Sequence, residues 1–175
     1  MIRQMTVVAL GEVPKGFLAA AAAKAGQAFS LEHRLGVGLA KPEYAFNENR
    51  GQYNSAAILR KLTKIRKEGE LVLGVGLFEL FEPDAEALVA DGDRDARTGV
   101  VGAAAFKTTD TARYLERTGH AAIIAVGKAL GLRECSDSRC GMAAVNQPTN
   151  LDKRSGRLCS SCEIIFSKGD RAWAR

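Results

Sequence analysis

The spacing of hydrophobic positions changes several times along the chain, and each change marks an element. Residues 2–10 carry a β-rich run (Thr6, Val7, Val8) ending at Gly11, the pattern of a buried first strand. Pro14 stands where a helix would start, and the alanine-rich GFLAAAAAKAGQAF follows it. Phe29, Leu31 and His33 then alternate as a second strand, before a loop-like stretch holding Pro42 and Gly51. From Tyr53 to Lys67, apolar residues Ala56, Ile58, Leu59, Leu62 and Ile65 recur at helical spacing, with Asn54 or Ser55 as the cap. ELVLGVGLFELF (70–81) is almost continuously apolar, as a strand buried on both faces should be.

EPDAEALVADGDRDART is acidic and turn-rich, and is expected to form a loop with one short edge strand. Residues 99–106 form a further buried strand, and Thr109 or Asp110 caps a long helix reaching about Leu132. Strands alternating with helices in this order predict an α/β sandwich with a mostly parallel sheet. No internal repeat or linker divides it, so one domain over residues 1–175 is expected.

Composition narrows the class. The chain has 175 residues, 46% of them hydrophobic, enough for a substantial core. MIRQMTVVAL lacks the apolar region of a secretion signal, and the longest apolar runs are too short to cross a bilayer. A soluble cytoplasmic protein without a membrane partner is expected. The net charge is +5, and Arg60, Lys61, Lys64, Arg66 and Lys67 concentrate some of it in two helical turns. No aromatic residue is interleaved with that stripe, so a solvated helix face is expected and nucleic acid is not the favoured partner. Asp91, Asp93 and Asp95 alternate as in a calcium loop, but the glutamate that would close such a loop is missing.

All four cysteines lie in one window: Cys135 and Cys140 as C-x4-C, then, after eighteen residues, Cys159 and Cys162 as C-x2-C. In a reducing compartment this spacing points to a single structural Zn2+ held by all four thiolates, with no open position for substrate or water. Two disulfides are the alternative and would need an oxidising compartment. Arg139, Lys153 and Arg154 lie close in sequence and would offset the charge of a tetrathiolate centre.

Cys135-x4-Cys140-x-Met142, with Cys159-x2-Cys162 following, resembles the signature of the archaemetzincins, a metzincin-like branch of zinc metallopeptidases. RGQYNSAAILRKL (50–62) and LVLGVGLFELF (71–81) are similar to that family's second helix and third strand. The resemblance implies a zincin-type α/β (α+β) domain, with a mixed, mostly parallel sheet, a long active-site-type helix and the four-cysteine zinc subregion at 135–162. It also implies that Gly131 turns the helix end and that Met142 is the methionine of the Met-turn. The family's HExxHxxGxxH motif falls on residues 124–134, where its ligands and base are replaced. Ile124 stands for the first histidine, Ala125 for the general-base glutamate, Lys128 for the second histidine and Glu134 for the third.

The residue count agrees independently. A zincin centre takes two histidines at i and i+4, a third ligand and a glutamate base. This chain has two histidines in all, His33 and His120, and His120 is followed by Ala121 with Ile124 at i+4. A catalytic zinc of the family's type is therefore not expected. A Lys128–Glu134 ion pair is expected to fill the vacated place. The reading that follows is a non-proteolytic binding protein, taking a peptide or protein in the old cleft by strand addition. Two alternatives stay open: a metallopeptidase using unconventional groups such as Glu134 with Glu116 or His120, and a zinc-ribbon nucleic-acid binder.

Overall fold

The structure, a computed structural model, describes residues 2–172. In chain order it contains β1 (Gln4–Ala9), α1 (Lys15–Phe29), β2 (Glu32–Leu35), a 3-10 turn (Glu43–Ala45), β3 (Phe46–Asn47) and β4 (Gln52–Asn54). Then come α2 (Ser55–Leu62) with a 3-10 extension (Thr63–Ile65), β5 (Glu70–Gly76), β6 (Leu80–Glu82), β7 (Ala85–Leu88), β8 (Ala90–Asp93) and β9 (Thr98–Gly102). A 3-10 turn (Ala103–Phe106), α3 (Thr111–Ala129), a 3-10 segment (Pro148–Lys153) and α4 (Ser160–Ala172) complete it.

The main sheet has the order β2-β1-β5-β9-β8. All its pairs are parallel except β8 with β9, which is antiparallel. β5 sits at its centre and every residue in it is buried. Alternate side chains divide between two cores, as the two-residue period of a strand requires. Leu71, Leu73 and Val75 join α1 and α3 on one face, whereas Val72 joins α2 and the smaller sheet on the other. Each fully buried Leu or Val in these layers contributes about 1.5–3 kcal/mol.

α3 is the backbone of the larger core. The Asp110 side chain accepts from Arg113 N at 3.0 Å and so caps it. From Arg117 onward almost every residue is buried, including Ile123, Ala125 and Val126 at 0% exposure. The helix ends when Gly131 takes φ +89°, a left-handed conformation that glycine adopts without steric cost.

Several sequence expectations change, among them the strand expected over 99–106, which ends at Gly102 and gives way to the 3-10 turn Ala103–Phe106. The strand expected over 70–81 breaks after Gly76, and Leu80–Glu82 pairs instead in a second, four-stranded sheet of order β3-β4-β6-β7. Phe78 is pulled into the smaller core there, where its ring lies 4.5 Å from Tyr53. The acidic stretch holds two strands rather than one, β7 in the small sheet and β8 at the edge of the main one. α4 was not expected at all: Ile164 and Ile165 are more than half exposed, so its apolar residues do not mark a buried face.

Candidate metal centre and the adjoining cleft

The turn at Gly131 delivers the chain directly to Cys135, whose N–H donates to the Met142 carbonyl at 2.8 Å. That bond closes a loop around Cys140. Cys159 immediately precedes α4 and Cys162 lies in its first turn, so the C-x2-C pair straddles a helix N-terminus. The four sulfurs lie within 4.8 Å of one another. Four ligands about 2.3 Å from a tetrahedral zinc lie about 3.8 Å apart, and Cys135 Sγ is 3.7 Å from Cys159 Sγ. Among the described residues this is the one group of three or more His, Cys, Asp or Glu whose ligand atoms converge.

The backbone is arranged for thiolates. Cys140 Sγ accepts from Met142 N at 3.4 Å and from Cys159 N at 3.3 Å. The Cys162 N–H, directed at Cys159 Sγ, lowers the Cys159 thiol to about 7, helped by the neighbouring cysteines. Burial pushes Cys140 and Cys162 the other way. A dication in their midst would reverse that, since metal coordination deprotonates a thiol outright.

Arg154 serves this loop differently from the sequence expectation. It is 7% exposed, and its guanidinium donates to the carbonyls of Gly141 (2.6 Å), Ala144 (3.1 Å) and Ala143. It therefore fixes the backbone around Cys140 as well as bringing positive charge to the sulfurs. The preceding 3-10 segment is fastened to α3 at two points. Arg117 grips Asp152 through two bonds of 2.7 and 2.6 Å, and His120 Nδ1 donates to the Leu151 carbonyl at 2.6 Å. His120 is 1% exposed, and burial lowers its pKa. It is a neutral tether, not an accessible base.

The cleft lies where α3 meets β8. Leu88, Val89, Ala90, Ile124, Lys128, Glu134, Met142, Ala143 and Val145 line a cavity of about 80 Å3. Met142 packs against α3, so close to Gly127 that any side chain there would collide with its sulfur. Ile124 and Ala125 are buried apolar residues that add no ligand.

The expected Lys128–Glu134 pair does not form. Lys128 Nζ instead lies 3.2 Å from Asp91 Oδ1 on the edge strand. Asp91 Oδ2 accepts from Ser55 Oγ at 2.7 Å, and Oδ1 also accepts from Gly92 N at 2.9 Å. The Asp91 side chain is only 9% exposed and needs a counter-charge, whereas Glu134 is exposed and water solvates it. Glu82 of β6 completes the cluster. Burial, followed by the charge of Asp91, raises its pKa, with Lys128 opposing. Sequence reasoning named Ser55 as a cap and Asp91 in a calcium-like run, passed over Glu82, and joined none of them to Lys128, which they precede by 37 or more residues. In the rest of the DGDRD run, Asp93 Oδ1 accepts from Asp95 N at 2.8 Å and Ala96 N at 2.9 Å.

Residues 31–168 match the sequence model of peptidase family M54. The chain belongs to that family, the archaemetzincins. The archaemetzincin of Methanopyrus kandleri is 30% identical over 127 residues, covering 73% of each chain. The crystal structure of an archaemetzincin from the same organism superimposes with a TM-score of 0.86 at 25% identity, covering 97% of this chain and 96% of that one. The fold of a zinc-dependent peptidase from Methanocorpusculum labreanum matches with a TM-score of 0.83 at 17% identity, covering 93% and 99%.

The cysteine cluster fits a tetrahedral metal in spacing and in donor set. Ile124, Ala125, Lys128 and Glu134 on and after α3 are a different donor set. They offer two aliphatic side chains, a lysine already paired with Asp91, and the solvated Glu134. The cavity lining that includes Glu134 contains neither Glu116 nor His120. Among the described residues no helix is long and apolar enough to cross a membrane.

Proposed function

We propose that this chain is a binding protein on an archaemetzincin scaffold, with one structural Zn2+ on Cys135, Cys140, Cys159 and Cys162 and no hydrolytic zinc. It works in the cytoplasm, where thiols stay reduced. The observation that carries the reading is the Lys128–Asp91 ion pair, 3.2 Å long, at the helix position where the peptidase motif requires a histidine. An ammonium on that position repels a dication, and Ala125 supplies no base for a water. What remains is a groove between the antiparallel edge strand β8 and the end of α3, floored by Ile124 and Met142. An extended peptide pairs with the free edge of β8 and sets one aliphatic side chain into the small cavity.

Zinc counted per folded chain, together with cleavage of unfolded protein and reporter peptides, tests this reading. One zinc per chain and no cleavage above a Cys162→Ser control are expected. Two zincs per chain, or metal-dependent turnover, would overturn it.

A further inference from the structure

The basic stripe on α2 has a partner that sequence spacing conceals. Residues 41–68 hold seven Lys and Arg against three Glu, a net +4 of the chain's +5. Arg66 is occupied, donating to the carbonyls of Lys67 and Glu70. Arg60, Lys61 and Lys64 are exposed, and among the described residues none of the three pairs with a carboxylate. The 3-10 turn at Glu43–Ala45 brings an aromatic ring into this group: Lys61 Nζ lies 5.5 Å from the centre of the Tyr44 ring. Tyr44 is nevertheless 55% exposed. Phe46, two residues on, is 39% exposed and lies 5.0 Å from Tyr53, which in turn carries Lys41 at 5.3 Å. The sequence separates these aromatic rings from the stripe; the fold sets Tyr44 directly beside it. Glu43 is the one acidic residue within this turn.

Exposed rings flanked by unneutralised cations are the equipment of a surface that stacks unpaired bases while tracking a phosphate chain. We propose that the face formed by Arg60, Lys61, Lys64 and Tyr44 binds single-stranded nucleic acid. Lys61 and Lys64, one helical turn apart, and Arg60 take successive phosphates. Tyr44 supplies the stacking surface. A duplex keeps its bases stacked on each other and has no use for that ring, so the face selects single strands. The site is separate in kind from the peptide groove and from the cysteine cluster, using none of their residues.

Fluorescence anisotropy of the zinc-loaded chain with labelled 12-mers of uridine and of deoxythymidine tests the proposal. Binding to either sugar supports it, provided that the logarithm of affinity falls with log salt at a slope of roughly −2 to −3, as three or four single-strand phosphate contacts require. Lys61→Glu with Lys64→Glu should abolish measurable binding. Tyr44→Leu should weaken it about tenfold while Tyr44→Phe, which keeps the ring, leaves it near wild type. These side chains are exposed, so circular dichroism and melting should be unchanged in each variant. Absence of binding at 50 mM salt would overturn the proposal. So would heparin binding as tightly as the oligonucleotides with no effect of Tyr44→Leu, or a preference for duplex.

Discussion

The end of α3 and the cysteine loop that follows it are adjacent in sequence and share a wall through Met142, yet they have kept different things. In the cysteine loop, the chemistry and the geometry agree: four sulfurs converge, N–H groups point at Cys140, and Arg154 holds the backbone between them. At the helix end the side chains are of another kind. Gly131 turns the chain and Met142 packs against Gly127, while the Lys128–Asp91 ion pair joins the helix to β8. The lesson is that backbone shape at such a site depends on packing around it, and packing is indifferent to whether a metal or a Lys–Asp pair fills the middle. On the proposed reading, ligand chemistry is the part that can be lost without loss of the fold.

The sharpest way to break that contrast is to remove one sulfur. Residues 135–162 contain little regular structure besides one 3-10 segment and the start of α4, so a metal on the four sulfurs is expected to order them together with Arg154, His120 and the Arg117–Asp152 pair. Structural zinc contributes about 10–16 kcal/mol to folding in small zinc domains. Here α1, α3 and the sheet retain their own core, so Cys162→Ser is expected to cost less, about 4–6 kcal/mol, or roughly 10–20 °C in Tm. Thermal melting with metal analysis checks it. An unchanged Tm on loss of zinc would mean that Arg154, His120 and the Arg117–Asp152 pair hold the loop by themselves.

The intermediate effect belongs to the helix end. Asp91→Ala leaves Lys128 without its counter-charge and Ser55 Oγ, fully buried, without its acceptor. Breaking a fully buried pair from one side costs about 3–5 kcal/mol. Lys128 is one-third exposed and can turn to water, which brings the expectation to about 2–3 kcal/mol in urea unfolding. Zinc content should not change. A cost equal to that of Cys162→Ser would place the two regions on the same footing and dissolve the contrast.

What could be read in the sequence follows the range of the interactions involved. The cap of α3 by Asp110, that of α2 by Asn54, the apolar span of α3 and the cysteine spacing are all local, and all were visible. The partner of Lys128 was not, because Asp91 lies in an acidic run that looks like a solvated turn and becomes buried only when β8 pairs with β9. Glu134 was the nearer acid in sequence, but exposure removed its need for a cation. Tyr44 was invisible for the same reason: the turn that carries it meets α2 only in three dimensions. α4 was missed because its mark on the core is slight, Phe166 packing against Phe29 at 5.5 Å while Ile164 and Ile165 face water.

The smallest expected effect asks whether the helix end is tuned or merely tolerated. Glu82 lies against Asp91, and its pKa is raised first by burial and then by that negative charge. A carboxyl whose folded pKa is above its unfolded value penalises the folded state once it must ionise. The penalty is absent below the unfolded pKa, about 4.3. It grows as pH rises from there through the folded pKa, and above that it is fully present. Glu82→Gln, which removes the charge and keeps the shape, should therefore stabilise the protein at pH 7 by under about 1 kcal/mol, since Glu82 is only partly buried and solvent screens it. The gain should shrink toward zero as pH falls to 4, below the unfolded value. Urea unfolding of both proteins at the two pH values measures it. A gain that persists at pH 4 would mean that the glutamine makes a better contact than the acid. A loss at pH 7 would mean that the ionised carboxylate is wanted beside Lys128, and that the cluster is an ion triad balanced on the lysine, not a pair with a third acid pressed against it.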